Sequence, residues 1–150
     1  MDSNLNSFLF KLLHEILPTA ERVARILPNH SPLCSLCHGE NPTDESLIHA
    51  MFLCNNNLGS GATLIRGIKK FVPYALESDI LKINFDVEDE DLHFALVWST
   101  ASFLSSLWSQ RTEKKRVNLI KIRTDLEASV RLLRESRLTT TVEVLSAIFD

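Results

Sequence analysis

Apolar side chains recur every three or four residues in several segments of the chain, which is the pattern of helices with one buried face. The first segment runs from Leu5 to Leu17 and is followed by Pro18, which disfavours helical geometry in the residue before it. Thr19 can cap a second helix, from Ala20 to Leu27, by accepting a backbone N–H of its first turn. The sequence therefore predicts a helical lead-in over residues 1–31.

The segment that follows lacks this pattern. Residues 32–42 are bounded by prolines and rich in turn-forming residues, so they predict a tight knuckle or a small hairpin. Thr43 is a candidate N-cap for a helix that ends at about Leu53. The apolar face of this helix would consist of Leu47, Ile48, Met51 and Phe52. Residues 55–61 are mostly Asn, Gly and Ser and predict a loop.

Further helices are predicted in the rest of the chain. Residues 62–72 form an amphipathic pattern. Residues 92–108 are apolar on nearly every side, so this helix must be covered on every side, either at the centre of a bundle or at an oligomer interface. Residues 113–136 carry a single apolar stripe and predict an antiparallel hairpin with that helix.

Two remaining segments have weaker patterns. In residues 74–91, Leu81, Ile83 and Phe85 alternate with polar residues, but a single strand without a partner is marginal. We therefore expect an extended segment or a short helix there. Thr139 to Thr141 interrupt the last apolar pattern, which predicts a short closing helix over residues 142–149.

Composition and charge narrow the class of protein. With 150 residues and 45% apolar content, the chain can bury the core of one domain. Its three cysteines cannot all pair within the chain and no signal-peptide pattern begins it, so we expect an intracellular protein, cytoplasmic or nuclear. The apolar run at residues 92–108 is too short and too interrupted to span a membrane.

The net charge of −3 argues against attraction of phosphate to the whole surface. Acidic residues concentrate in residues 77–91 and basic residues in residues 111–123, and most such charge runs are simply solvated surfaces. Any contact with RNA or DNA must therefore be local. The candidate phosphate contacts are Arg66, Lys69, Lys70, Lys114, Lys115, Arg116, Lys121 and Arg123.

One group of residues has the spacing of a metal site. Cys34 and Cys37 form a Cys-x2-Cys pair in the proline-bounded turn, and His49 and Cys54 follow at the end of the predicted helix. Three thiols and an imidazole at short spacings are the donor set that tetrahedral structural zinc requires. With three thiolates, a neutral imidazole and Zn²⁺, the site would carry a charge of about −1 and no open position for catalysis.

The same cysteines are also compatible with two roles that need no metal. Free cysteines are common as small buried apolar residues, and a Cys-x2-Cys pair can be a redox motif, although the expected βαβ context is missing. His38 is a rival imidazole, but its position next to Cys37 in the same turn would strain the geometry. Zinc bound by Cys34, Cys37, His49 and Cys54 is the interpretation that uses every cysteine of the chain.

These motifs resemble the zinc-binding domain at the C-terminal end of LINE-type (non-LTR) retrotransposon reverse transcriptases. The resemblance rests on Leu17 to Arg22, on Leu33 to Cys37 and on Glu45 to Cys54, in that order. It implies the same four ligands and a role in handling nucleic acid during reverse transcription. It brings no polymerase centre, so we expect a non-catalytic tail that is a fragment or a domesticated gene.

The sequence thus predicts a mainly α fold, in which a small zinc knuckle joins a helical bundle with a long C-terminal helical hairpin. We expect one domain over residues 1–150, with the lead-in at 1–31, the knuckle and its ligand helix at 32–54, and the bundle at 62–150. The predicted function is nucleic-acid binding without catalysis or a small-molecule substrate. The alternative is a protein-interaction module, in which residues 92–108 pack against a second copy or against a parent polyprotein.

Overall fold

The computed structural model of the protein describes residues 2–37 and 41–150. Over these residues it confirms the mainly α fold, with helices packed into a bundle and a Cys/His cluster at one side. The only strand-like pairing among them is an isolated antiparallel bridge between Leu33 and Asp44. The α-helices are α1 Ser3–Leu13, α2 Ala20–Ile26, α3 Ser60–Ile68, α4 Glu77–Leu81, α5 Glu90–Thr112, α6 Leu119–Val130 and α7 Glu135–Phe149.

Helix α5 is the centre of the bundle. It contacts α1, α3, α6 and α7, and its most extensive packing is against α7. Its fully buried side chains include Phe103, Leu104 and Leu107, which lie in one core with residues of α3 and α7. Of residues 92–108 only His93 is exposed, so most of this helix is covered within the chain. Dimerisation through it stays an untested prediction.

Helices α3 and α7 approach each other closely. A Cβ placed on Gly67 would lie 2.5 Å from Ile148 Cα, a separation that real Cβ atoms essentially never show. The missing side chain of Gly67 therefore lets the backbones of the two helices touch, and Ile68 and Ile148 are both buried in the core beside this contact.

The predicted helix boundaries near the N-terminus are partly wrong. Thr19 caps α2 as predicted, since its Oγ1 accepts the Arg22 N–H at 3.3 Å. Helix α1, however, ends at Leu13 and not at Leu17. Glu15 adopts a left-handed φ of 54°, and Ile16 N–H closes the last turn on the Lys11 carbonyl at 2.9 Å. Local hydrogen bonds therefore end α1 several residues before Pro18.

The C-terminal boundaries also need correction. Helix α6 occupies only the middle of the predicted 113–136 helix. Asn118 sets its start by accepting the Ile120 N–H at 2.9 Å. Helix α7 begins at Glu135 and includes the three threonines that the sequence assigned to a break. Burial accounts for this, because Thr141 is enclosed in the bundle and donates its hydroxyl to the Arg137 carbonyl at 2.7 Å. Tertiary contacts outweigh the weak helix propensity of threonine here.

Residues 74–91 contain a short helix, α4, and no strand. Asn84 N–H donates to the Asp79 carbonyl at 2.9 Å, which turns the chain after α4. Ile80, Leu81 and Phe85 are buried, so the alternating pattern reflects burial on a turn. Among the described residues, no helix combines the length and the apolar character that crossing a bilayer would require.

Candidate metal centre

A small hairpin positions the first two cysteines. Cys34 N–H donates to the Thr43 carbonyl at 2.8 Å, and Glu45 N–H donates to the Pro32 carbonyl at 2.9 Å. Both strands of the predicted knuckle are therefore paired at their outer ends. Residues 38–40 lie outside the described part of the chain, and so does the rival ligand His38. Thr43 is not a helix N-cap, since it belongs to the hairpin.

A widened helical turn positions the other two candidate ligands. The ligand helix starts later than predicted, and Ser46 accepts the His49 N–H at 3.1 Å near its beginning. His49–Leu53 forms a π-helical turn, in which Cys54 N–H donates to the His49 carbonyl at 2.9 Å. In an α-helix, residues five apart point about 140° away from each other, because each residue turns by about 100°. The wider i→i+5 turn brings His49 and Cys54 closer to one side of the helix.

The four side chains converge on one point. Cys54 Sγ lies 3.8 Å from Cys34 Sγ and 3.7 Å from Cys37 Sγ. Cys37 Sγ lies 3.0 Å from His49 Nε2, and all four donor atoms are within 4.8 Å of one another. Two sulfurs bound tetrahedrally to one ion at about 2.3 Å would be about 3.8 Å apart. The thiols are free, so these four residues could hold a metal ion.

The surroundings of the cluster are closed. Cys34, His49 and Cys54 are buried, and Cys37 is half-buried at the edge. Four protein donors are the number that a tetrahedral ion takes, so this group could hold one ion between its own side chains. The arrangement can cross-link the hairpin to the π-helical turn.

Burial and neighbouring charges set the protonation of the cluster. Burial and the adjacent thiols of Cys54 and Cys34 raise the pKa of Cys37 to about 12, so without a cation this thiol stays protonated. Burial and the charge of Arg111 lower the pKa of His49, which keeps its imidazole neutral and able to bind a metal. Burial opposes ionisation of Cys54, but hydrogen bonds from Arg111 and the Asn56 backbone outweigh it and lower its pKa.

The structure adds a residue that the sequence interpretation placed on a basic surface. Arg111 is buried, with only 3% of its surface exposed. Its guanidinium donates to Glu45 Oε2 at 2.6 Å and to Cys34 Sγ at 3.5 Å, and its other terminal nitrogen donates to Asn57 Oδ1 at 2.9 Å. Spacing gave a usable signal, because Arg111 continues the buried stripe of Leu104 and Leu107 at helical steps.

Glu45 connects this network to the N-terminal helices. Its Oε1 accepts the Ala20 N–H at 2.9 Å, and its backbone carbonyl accepts the Glu21 N–H at 3.3 Å. Its Oε2 accepts both Arg111 and the Cys34 thiol, the latter at 3.7 Å. One carboxylate thus joins the start of α2, the cluster and the end of α5.

The predicted basic contacts do not form one continuous free patch. Several are paired: Lys115 with Glu113 at 2.6 Å, Lys121 with Asp125 at 3.0 Å, Arg123 with Glu127 at 2.7 Å and with Asp150 at 3.0 Å, and Lys70 with the Ala147 carbonyl at 2.8 Å. In the described part of the chain, four are exposed with neither an ion pair nor a side-chain hydrogen bond: Arg66, Lys69, Lys114 and Arg116.

Lys114 and Arg116 lie in the loop after α5, which is attached to the metal-binding region. Asn56 Nδ2 donates to the Lys115 carbonyl at 3.1 Å, and Val117 N–H donates to the Asn56 carbonyl at 3.2 Å. Asn56 is only two residues beyond Cys54. Asn56 therefore ties the loop that carries these two exposed cations to the segment that follows Cys54.

Comparison with known proteins gives no further assignment. No protein-family model, no curated protein and no solved structure matches the chain. Trp98 is buried and so is not free to stack on a base, whereas Trp108 is half-buried.

Proposed function

We propose that this chain is a non-catalytic module in which one structural zinc ion organises a contact site for the phosphate backbone of RNA or DNA. The observation that supports it most is the convergence of Cys34, Cys37, His49 and Cys54, with sulfur separations of 3.7 and 3.8 Å. Three thiolates and one imidazole favour zinc among the common cellular cations, because these donors are soft and the geometry is tetrahedral. The free thiols agree with a reducing compartment, cytoplasm or nucleus.

The proposed nucleic-acid contact is the loop of Lys114, Lys115 and Arg116. Lys114 and Arg116 are exposed and unpaired within the described residues, and hydrogen bonds to Asn56 hold the loop beside the cluster. Since the net charge is −3, binding depends on such a local group and is sensitive to salt. The motif resemblance to retrotransposon zinc domains supports the same class of ligand.

The first test is the zinc content of protein purified without added metal, for which we expect one ion per chain. The second is binding of duplex DNA and single-stranded RNA between 50 and 200 mM salt, on the order of the range over which phosphate contacts are lost. Lys114→Ala with Arg116→Ala should lower the duplex salt slope by about two, since each contact contributes about 0.9.

The matched control is Arg131→Ala with Arg134→Ala, which removes the same charge from two exposed residues outside the loop. An equal effect of both double variants would exclude a local site. Sedimentation of the same samples tests the alternative, a protein-interaction or homodimerisation module. A stable dimer without affinity for nucleic acid would replace the proposal by that alternative.

A further inference from the structure

The buried end of α5 places a cation against the metal-binding cluster. One terminal nitrogen of Arg111 lies 2.6 Å from Glu45 Oε2 and 3.5 Å from Cys34 Sγ. Asn57 fixes the other terminal nitrogen at 2.9 Å, so the guanidinium plane is held from two sides. The Arg111 side chain is 2% exposed and that of Glu45 12%, so water screens this charge weakly.

We propose that Arg111 is the counter-ion of the metal-bound thiolates, which holds Cys34 Sγ in place by an N–H···S hydrogen bond and raises the affinity of the site for zinc. This inference rests on the proposed zinc function. Arg111 would stabilise the site when its thiolates hold a metal, although it lies 77 positions along the chain from Cys34.

Charge accounting favours this role. Three thiolates, a neutral imidazole and Zn²⁺ would leave about one negative charge, and the Glu45 carboxylate beside them adds a second. The Arg111 guanidinium reduces this total from about −2 to about −1, and buried charge without such compensation is strongly destabilising. In the described residues, Arg111 is the only Lys or Arg side chain with a hydrogen bond to a cluster sulfur. Both terminal nitrogens of Arg111 are thus committed to the surroundings of the cluster, one to Cys34 and Glu45 and the other to Asn57.

Glu45 has a supporting role in this arrangement. Its carboxylate accepts a hydrogen bond from the Cys34 thiol at 3.7 Å and pairs with Arg111 at 2.6 Å. When the thiol is ionised, carboxylate and thiolate would repel each other, and the guanidinium that contacts both screens that repulsion. A neutral residue at position 111 would leave the two negative groups adjacent.

A simpler role for Arg111 is a tie between α5, Glu45 and Asn57 without influence on the metal. The two roles differ in what a substitution changes. A tie affects only folding stability, whereas a counter-ion affects metal affinity and the electronic spectrum of a metal bound through sulfur. Outer-shell partners of metal ligands typically change metal affinity by about 10–100-fold when they are removed.

The test uses the full chain with Arg111→Met, Arg111→Lys and the control Leu104→Ala. Leu104 is fully buried on α5, about two turns from Arg111, so its loss destabilises the bundle without touching the thiols. Zinc affinity is measured by competition with a chromophoric chelator, and Co²⁺ is added separately to record its thiolate charge-transfer band.

We expect zinc affinity to fall about 10–100-fold in Arg111→Met, together with a shift of the Co²⁺ band. The affinity should fall less in Arg111→Lys, and it should stay within about twofold in Leu104→Ala. Equal affinities in Arg111→Met and Leu104→Ala would overturn the inference. If Arg111→Met does not fold, an unchanged zinc affinity and Co²⁺ band in Arg111→Lys would overturn it. If the wild-type chain binds no zinc, the proposed zinc function itself is wrong. If the wild type binds zinc and the Arg111 variants bind it with the same affinity, only the role of Arg111 is wrong.

Discussion

The bundle and the metal turn, which we define as residues 32–37 and 41–58, are ordered by different kinds of contact. In the bundle, α3, α5 and α7 bury a continuous set of large apolar side chains such as Phe103, Ile68 and Ile148. In the metal turn, Met51 is the one large apolar side chain that is fully buried, and the other buried residues are mostly Cys, His and Asn.

This difference shows where each region obtains its stability. The bundle can fold by removing apolar surface from water, since full burial of one large side chain contributes about 1.5–3 kcal/mol. The metal turn buries fewer large apolar side chains, and on the proposed zinc function a bound ion would add to the Arg111–Glu45 pair in stabilising it. The two regions should therefore respond differently to the same perturbation.

The largest expected effect comes from removing the metal. Chelation, or Cys37→Ser, should lower the melting temperature by roughly 10 °C, because an ion at 1,000 times its Kd stabilises by about 4 kcal/mol and a chain of this size shifts by about 2–4 °C per kcal/mol. Most of the helical circular dichroism should persist, since the helices of the bundle share an apolar core of their own.

Ser35→Ala is the control for that substitution, because Ser35 is an exposed residue of the same hairpin and offers no ligand. If Cys37→Ser and Ser35→Ala melted alike with zinc present, the metal turn would not depend on an ion, and the contrast between the regions would fail.

Acidification should lower the melting temperature by nearly as much as chelation does. The pKa of folded His49 lies below its usual 6.5 because of burial and Arg111, so below pH 6.5 the unfolded chain binds more protons than the folded chain. Stability then falls as pH falls, and protons also displace the ion from the thiolates. In thermal melts between pH 7.5 and 5.5, the melting temperature of the wild type should fall with pH, and that of Cys37→Ser should fall less. Equal slopes in the two proteins would contradict it.

The smallest expected effect comes from substituting two glycines of α3, one beside the bundle and one beside the metal turn. A Cβ on Gly67 would meet the Ile148 backbone, and a Cβ on Gly61 would lie 2.5 Å from the Met51 carbonyl oxygen in the π-helical turn. Gly67→Ala and Gly61→Ala should each destabilise by about 1–3 kcal/mol through overpacking.

Only Gly61→Ala should also weaken zinc binding, because it displaces the turn between His49 and Cys54. Chelator competition on both variants measures this difference. Equal zinc affinities in the two variants would show that the π-helical turn does not control the ligand geometry.

Much of the bundle follows from local pattern. The all-round apolar character of residues 92–108 predicts a central helix, and the structure places α5 at the centre. Boundaries were less predictable where tertiary contacts or backbone hydrogen bonds decide them. The left-handed Glu15 ends α1 early, and burial of Thr141 extends α7 through residues of weak propensity.

The convergence of the four candidate ligands was predictable from the sequence, and the residues that surround them were not. Cys34, Cys37, His49 and Cys54 have a spacing that short turns can bring together, so the sequence contains the necessary information. Arg111 and Glu45 are 66 positions apart, and their pairing depends on how α5 docks on the metal turn. A charge run shows that cations are present, but only packing decides which of them is buried.

The order of contacts along the chain has a consequence for folding kinetics. Cys34 and Cys54 are 20 positions apart, whereas Lys70 and Ala147, which join α3 to α7, are 77 positions apart. Closing the shorter span costs less chain entropy, and contacts between distant residues generally form more slowly. On refolding, we expect the cysteines to bind zinc before α7 packs against the core. Stopped-flow mixing with a zinc-sensitive dye would record the rate of zinc binding.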